Sequence, residues 1–111
     1  MILSYEQLES GHWVDEFSAL VRRGDGDKSA TAHRMRLCRA VLGSTQADMA
    51  ELIGTTTSNY QHIERGATYP QPPHVLRLLS AHGIDHNFIY VGDWSKLPTE
   101  ITTKMRAVNS G

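Results

Sequence analysis

Apolar residues along the chain recur at intervals of three and four and nowhere alternate with period two, so helices are expected throughout and strands nowhere. Ser4-Tyr5-Glu6-Gln7 has the spacing of a capping box, and Leu8, then Trp13 or Val14, Phe17, Leu20 and Val21 follow at roughly helical intervals. One or two helices ending near Arg23 are predicted. Gly24-Asp25-Gly26-Asp27-Lys28-Ser29 is polar and turn-forming, a linker that marks off an acidic helical extension over residues 1–30. Met35, Cys38, Val41 and Leu42 then share one face of a helix predicted over 32–42, which stops at Gly43. Thr45 can cap a helix over 46–53 with Asp48 three residues on; its stripe is Met49, Leu52 and Ile53, and Gly54 ends it. Thr56 can cap a helix over 57–65 with Tyr60 and Ile63 facing inward. Pro70, Pro72 and Pro73 break the chain, and Val75, Leu78, Leu79 and His82 define a helix running to Gly83. Asp85 can cap a short helix holding Phe88 and Ile89 and ending at Gly92. In the tail, residues 93–111, a last weak helix is predicted from Thr99, with Ile101, Met105 and Val108 spaced by four and three. The expected fold is all-α, with five helices in a unit at 31–92.

Composition narrows the class. With 111 residues and 40% apolar content, one small domain is expected. The single cysteine, Cys38, excludes an intrachain disulfide framework and multi-cysteine zinc motifs and suits a reducing, cytoplasmic setting. No apolar run approaches the ~18 residues of a membrane span, and the N-terminus lacks the order of a signal peptide. Net charge is −1, which argues against a non-specific coat on nucleic acid but leaves specific DNA binding open. The charge is uneven. Residues 1–32 carry six acids against three bases, whereas 33–92 carry five bases against four acids and 93–111 three against two.

Two short helices joined through Ile53-Gly54-Thr55-Thr56 fit a helix-turn-helix. Gln46 opens the first, Ala50 lies where it must nearly touch the second, and Gly54 makes the turn. Three segments carry a likeness over residues 33–92: Ser44-Thr45-Gln46-Ala47-Asp48-Met49-Ala50-Glu51-Leu52-Ile53-Gly54, Tyr60-Gln61-His62-Ile63-Glu64-Arg65-Gly66, and Gly83-Ile84-Asp85-His86-Asn87-Phe88-Ile89-Tyr90-Val91-Gly92. In this order and spacing the chain resembles the Cro and lambda-repressor type of helix-turn-helix regulators, the XRE family.

The resemblance implies that the helix at 57–65 is a recognition helix for the major groove of double-stranded DNA. Helical spacing independently puts Thr57 with Gln61 and Ser58 with His62, so these four share a face turned away from Tyr60 and Ile63 and are the candidates for reading bases. The alternative is a face that is merely solvated. Gln46, at a helix N-terminus, contacts the DNA backbone by the resemblance, with Thr56, Asn59, Arg34, Arg36 and Arg65 as further phosphate candidates. Arg39 and Glu64 are implied to form an ion pair that ties the first helix to the end of the recognition helix. A homodimer on an inverted repeat is implied as well, meeting through Phe88, Ile89, Tyr90 and Trp94, although Phe88 could simply close the core. Thr57 and Tyr60 depart from the residues usual at their places, so neither operator nor helix tilt carries over from the family.

Other chemistries find less support. Six histidines include His82 and His86 four apart, but Gly83 breaks the helix between them and no close carboxylates complete a metal site. Cys38 lies on an apolar stripe, and no phosphate-cradling glycine loop, nucleophile elbow or carboxylate pair suggests an enzyme or a cofactor. The rival is an antitoxin-like protein-binding module in which Trp13, Phe17, Leu20 and Val21 of residues 1–30 meet a protein partner. With little length left for a sensor domain, repression by occupying an operator is the simplest mode of action.

Overall fold

Short polar side chains start four of the described helices, and glycines in the left-handed region end four. The computed structural model describes residues 16–110. Over these it has seven helices and no strand: α1 (Glu16–Leu20), α2 (Lys28–Leu42), α3 (Gln46–Ile53), α4 (Thr57–Glu64), α5 (Pro72–His82), α6 (His86–Val91) and α7 (Thr99–Ser110). Asp27 accepts from the Ala30 amide at 2.7 Å, Thr45 and Asp48 cap α3 reciprocally at 3.0 and 3.1 Å, Thr56 accepts from Asn59, and Asp85 from Phe88. Each satisfies an amide that the first helical turn leaves without a partner.

Two helices differ from the sequence reading. α2 starts at Lys28, four residues before the predicted 32, because Asp27 caps a polar first turn that carries no apolar periodicity. The polar stretch at 24–29 is therefore a tight turn and a cap. α7, predicted as weak, is a helix of 12 residues that lays Ile101 and Met105 into the core across α2, leaving Val108 44% exposed. The predictions made on Ser4 to Gln7, Leu8, Trp13 and Val14 lie outside the described residues.

The core gathers Met35, Cys38, Met49, Ile53, Tyr60, Ile63, Val75, Leu78, Ile84, Phe88 and Ile89 from α2 to α6 and the loop before α6. Phe17 and Val21 belong to the same core, so these two residues of the leading segment are spent on the chain's own interior and offer no surface to a partner. Phe17 packs edge-on against Trp94 with centroids 5.1 Å apart, Trp94 Nε1 donates to Ser18 Oγ at 2.9 Å, and the Arg106 guanidinium lies 4.5 Å from the Phe17 ring centre. The segments on either side of α2 to α6 thus meet each other through an aromatic pair capped by a cation. Burial pushes the Cys38 thiol up to about 12, which leaves it an inert core residue.

Arg34 corrects the sequence reading most sharply. Offered there as a phosphate ligand, it is 0% exposed and cannot reach DNA. Its Nε donates to the Val21 carbonyl at 2.8 Å, Nη1 to that of Ile89 at 3.1 Å, and Nη2 to those of Arg22 at 2.5 Å and Asp25. The carbonyls lie in the turn after α1, where Arg22 takes a left-handed φ of 55°, and near the end of α6. A guanidinium suits this place because its fixed fork presents several donors at once to groups that would otherwise be buried without partners. Gly92 is required beside it: its φ is +75°, and a Cβ there would come within 2.9 Å of Arg34 Nη2 and of the Arg23 Cα.

Arg34→Met should strand these carbonyls and lower stability by about 3 kcal/mol, measured as a fall in the urea midpoint. Arg34→Lys should recover only part of the loss, since three ammonium hydrogens face four carbonyls.

Candidate nucleic-acid interface

Ala50 and Gly54 set how α3 and α4 meet. Ala50 is buried, which lets the helices approach, and Gly54 takes φ +81° in the turn, with the Arg77 side chain so close that a Cβ would lie 2.9 Å from its Nε. Tyr60 and Ile63, both 0% exposed, pin the inner face of α4 to the core. The helical repeat then turns Thr57, Ser58, Gln61 and His62 outward together, and all four are exposed.

Beneath this face lies a chain of hydrogen bonds that spacing within one helix could not reveal, because its members come from three helices. Glu64, the last residue of α4, is buried; Arg39 of α2 donates to it from Nε at 2.7 Å and from Nη2 at 3.1 Å. Gln46 of α3 donates its Nε2 to the same carboxylate at 3.2 Å and accepts at Oε1 from Gln61 Nε2, also at 3.2 Å. An ionised carboxylate only accepts, so the Gln46 amide must turn its NH2 inward and its oxygen toward α4. That in turn fixes Gln61, whose own oxygen and second N–H remain free to face outward. Gln46, implied as a phosphate contact, thus holds its side chain between Glu64 and the exposed face of α4, while it sits at the first position of α3.

The other candidates are distributed around α4. Arg36 is exposed and donates to the Glu64 carbonyl, capping the end of the helix. Arg65 is exposed and its Nη2 lies 3.0 Å from His62 Nδ1. Thr56 is exposed but already accepts from the Asn59 amide, and the half-buried Asn59 donates its Nδ2 to Thr55 Oγ1 at 2.8 Å. Of the residues assigned to a dimer interface, Phe88 and Ile89 are corrected: both are 0% exposed and close the core. Tyr90 and Trp94 keep part of their surface, with the Tyr90 hydroxyl donating to the Pro70 carbonyl at 2.6 Å.

A family model described as a helix-turn-helix domain matches residues 31–87, from the first turn of α2 into α6. The chain belongs to the helix-turn-helix domain family. The match bears out the likeness to the Cro and lambda-repressor type. No curated protein and no solved structure matches the chain. Among the described residues, no helix is long and apolar enough to cross a membrane.

The electrostatics of this helix-turn-helix centre on Glu64. Burial alone would raise its carboxyl, but the donors from Arg39 and Gln46 and the adjacent Tyr60 hydroxyl outweigh burial and hold it below the usual glutamate value. The Tyr60 hydroxyl is itself buried beside the carboxylate, out of hydrogen-bonding geometry, and burial together with Glu64 pushes it well above the usual tyrosine value. Because the folded Glu64 pKa is depressed, its contribution to stability is present above the unfolded glutamate pKa and is lost as pH falls through the folded one.

Glu64→Ala should cost about 2 kcal/mol, since it leaves Arg39 uncompensated and Gln46 without its acceptor, and the double replacement Arg39→Leu with Glu64→Leu should cost less. Denaturant titration at neutral pH reads both. The deficit of Glu64→Ala against the unaltered protein should shrink on acidification below the ordinary glutamate pKa.

Proposed function

We propose that the protein is a sequence-specific regulator of transcription that binds double-stranded DNA with α4 in the major groove. The observation that carries this reading is the exposed row of Thr57, Ser58, Gln61 and His62 on one face of α4, underpinned by the amides of Gln61 and Gln46. A helix with its side chains is about 10–12 Å across, which fits a major groove about 12 Å wide. The four side chains supply donors, acceptors and a methyl group, the chemistry by which base pairs are told apart in that groove. The helices α2 to α6 serve as the lambda-repressor-like five-helix unit.

Phosphate contacts come from Gln46 and Thr56 at the helix starts, from Asn59, and from the exposed guanidinium groups of Arg36 and Arg65. One such helix spans few base pairs, so two copies bind an inverted repeat about one helical turn between half-sites. They meet along the edge of α6, where Tyr90 is half-buried and Val91 is 44% exposed, with Trp94 nearby in sequence. The mode of action is repression by occupying an operator that overlaps a promoter.

Selection of genomic DNA fragments by the purified protein should enrich an inverted repeat. The folded variant in which Thr57, Ser58, Gln61 and His62 are all alanine should lose that enrichment; retention would show that α4 does not read the site. Sedimentation of the bound complex should give two chains per repeat. Val91→Asp should weaken binding to the full repeat by tenfold or more while leaving binding to one half-site unchanged.

A further inference from the structure

His62 has its hydrogen-bonding polarity set directly by a neighbour of fixed character. Arg65, three residues on along α4 and just past its end, places Nη2 3.0 Å from His62 Nδ1. A guanidinium has hydrogens to donate and no lone pair to accept with. Nδ1 must therefore be the acceptor, and the imidazole proton resides on Nε2. Both side chains are exposed, so the contact is a feature of the surface that DNA would meet.

We propose that His62, held in its Nε2–H form by Arg65, is a donor-only reader of guanine; this rests on the DNA-binding reading above. In the major groove a guanine shows two adjacent acceptors, N7 and O6. A single N–H over that edge finds an acceptor wherever it falls. Adenine sets its N6 hydrogens beside N7 and opposes the donor, cytosine offers only hydrogens, and thymine flanks its one acceptor with a methyl group. The Arg65 charge behind the imidazole acts in the same direction, since it favours the edge richest in lone pairs. Free imidazole would exchange between two tautomers and could accept as well as donate. Arg65 is thus a positioning residue that removes the second option.

The test is selection of bound duplexes from a randomised library by the full chain, its His62→Ala variant and its Arg65→Met variant, with nitrogen NMR of the imidazole in each free protein that retains it. The unaltered protein should select a guanine at one position of each half-site, preferred about tenfold over each other base, and His62→Ala should level that position alone. Arg65→Met should weaken the same preference and leave the others, and its His62 ring should lose the signature of a proton confined to Nε2. The proposal is overturned if the position answering to His62 prefers adenine, cytosine or thymine, or if no position answers to it. It is equally overturned if Arg65→Met lowers affinity evenly over all sequences with the guanine preference intact, the mark of a phosphate ligand. Selection of no motif by the unaltered protein would defeat the DNA-binding reading itself, whereas a motif that ignores His62 would defeat only this assignment.

Discussion

A carboxylate in the interior of a small domain must be met by donors, and where those donors are anchored decides how the surrounding helices lie. Glu64 is such a group. Its two oxygens take hydrogen bonds from Arg39 on α2 and Gln46 on α3 while its own backbone ends α4. Three helices are therefore registered on one charge. A pair of this kind adds little net stability over well-packed apolar residues, because desolvation offsets the attraction. What it supplies is orientation: moving α4 by a fraction of a turn would part the carboxylate from both partners at once. The same carboxylate, being unable to donate, dictates which way Gln46 and then Gln61 present their amides, so a buried charge at the end of α4 sets the hydrogen-bonding pattern at its exposed face.

α2 carries a second guanidinium with the opposite kind of partner. Arg34 and Arg39 are five residues apart and point to well-separated sides of the helix. Arg39 meets a carboxylate, whereas Arg34 meets backbone carbonyls of the turn after α1 and of α6. The first anchors the helix proposed to read DNA, and the second anchors the segment that leads into α2. Together with the Phe17, Trp94 and Arg106 contact, this makes residues 16–23 and α7 parts of one packed unit rather than appendages to it.

Helix ends were the most legible feature of the sequence, because the cap at Thr45 and the stops at Gly43, Gly54, Gly83 and Gly92 act locally and act through residue type. The start of α2 escaped because its first turn is polar, and only the distance from Asp27 to the Ala30 amide reveals the cap. α7 read as weak because few of its residues are apolar, yet Ile101 and Met105 suffice once α2 offers a surface to cover. The outward face of α4 followed from the 3.6-residue repeat. The fate of Arg34, Phe88 and Ile89 did not, since residue type says what a side chain can bond to and not whether solvent reaches it. The chain from Glu64 to Gln61 was illegible for a related reason: it joins residues on α3 and α4 that no periodicity relates.

The placement of the arginines bears on how so nearly neutral a chain could select DNA. Five arginines lie between residues 33 and 92. Arg34 is buried, Arg39 is paired with Glu64, Arg36 covers the end of α4, Arg77 lies against Gly54 and Arg65 holds His62. Arg34 and Arg39 are thus taken up inside the fold, whereas Arg36, Arg65 and Arg77 are exposed at the helix-turn-helix. Non-specific affinity for DNA grows with the number of phosphates neutralised, so few free cations mean weak attachment to arbitrary sequence and a shallow dependence on salt. In the proposed regulator, discrimination would then fall to hydrogen bonds from the Thr57, Ser58, Gln61 and His62 face. Within a genome it is the ratio of specific to non-specific binding that places a protein on its site, and that ratio rises as readily by lowering the second as by raising the first. A proposed reading face of Thr57, Ser58, Gln61 and His62, set on a framework that buries Arg34 and pairs Arg39, is consistent with that economy.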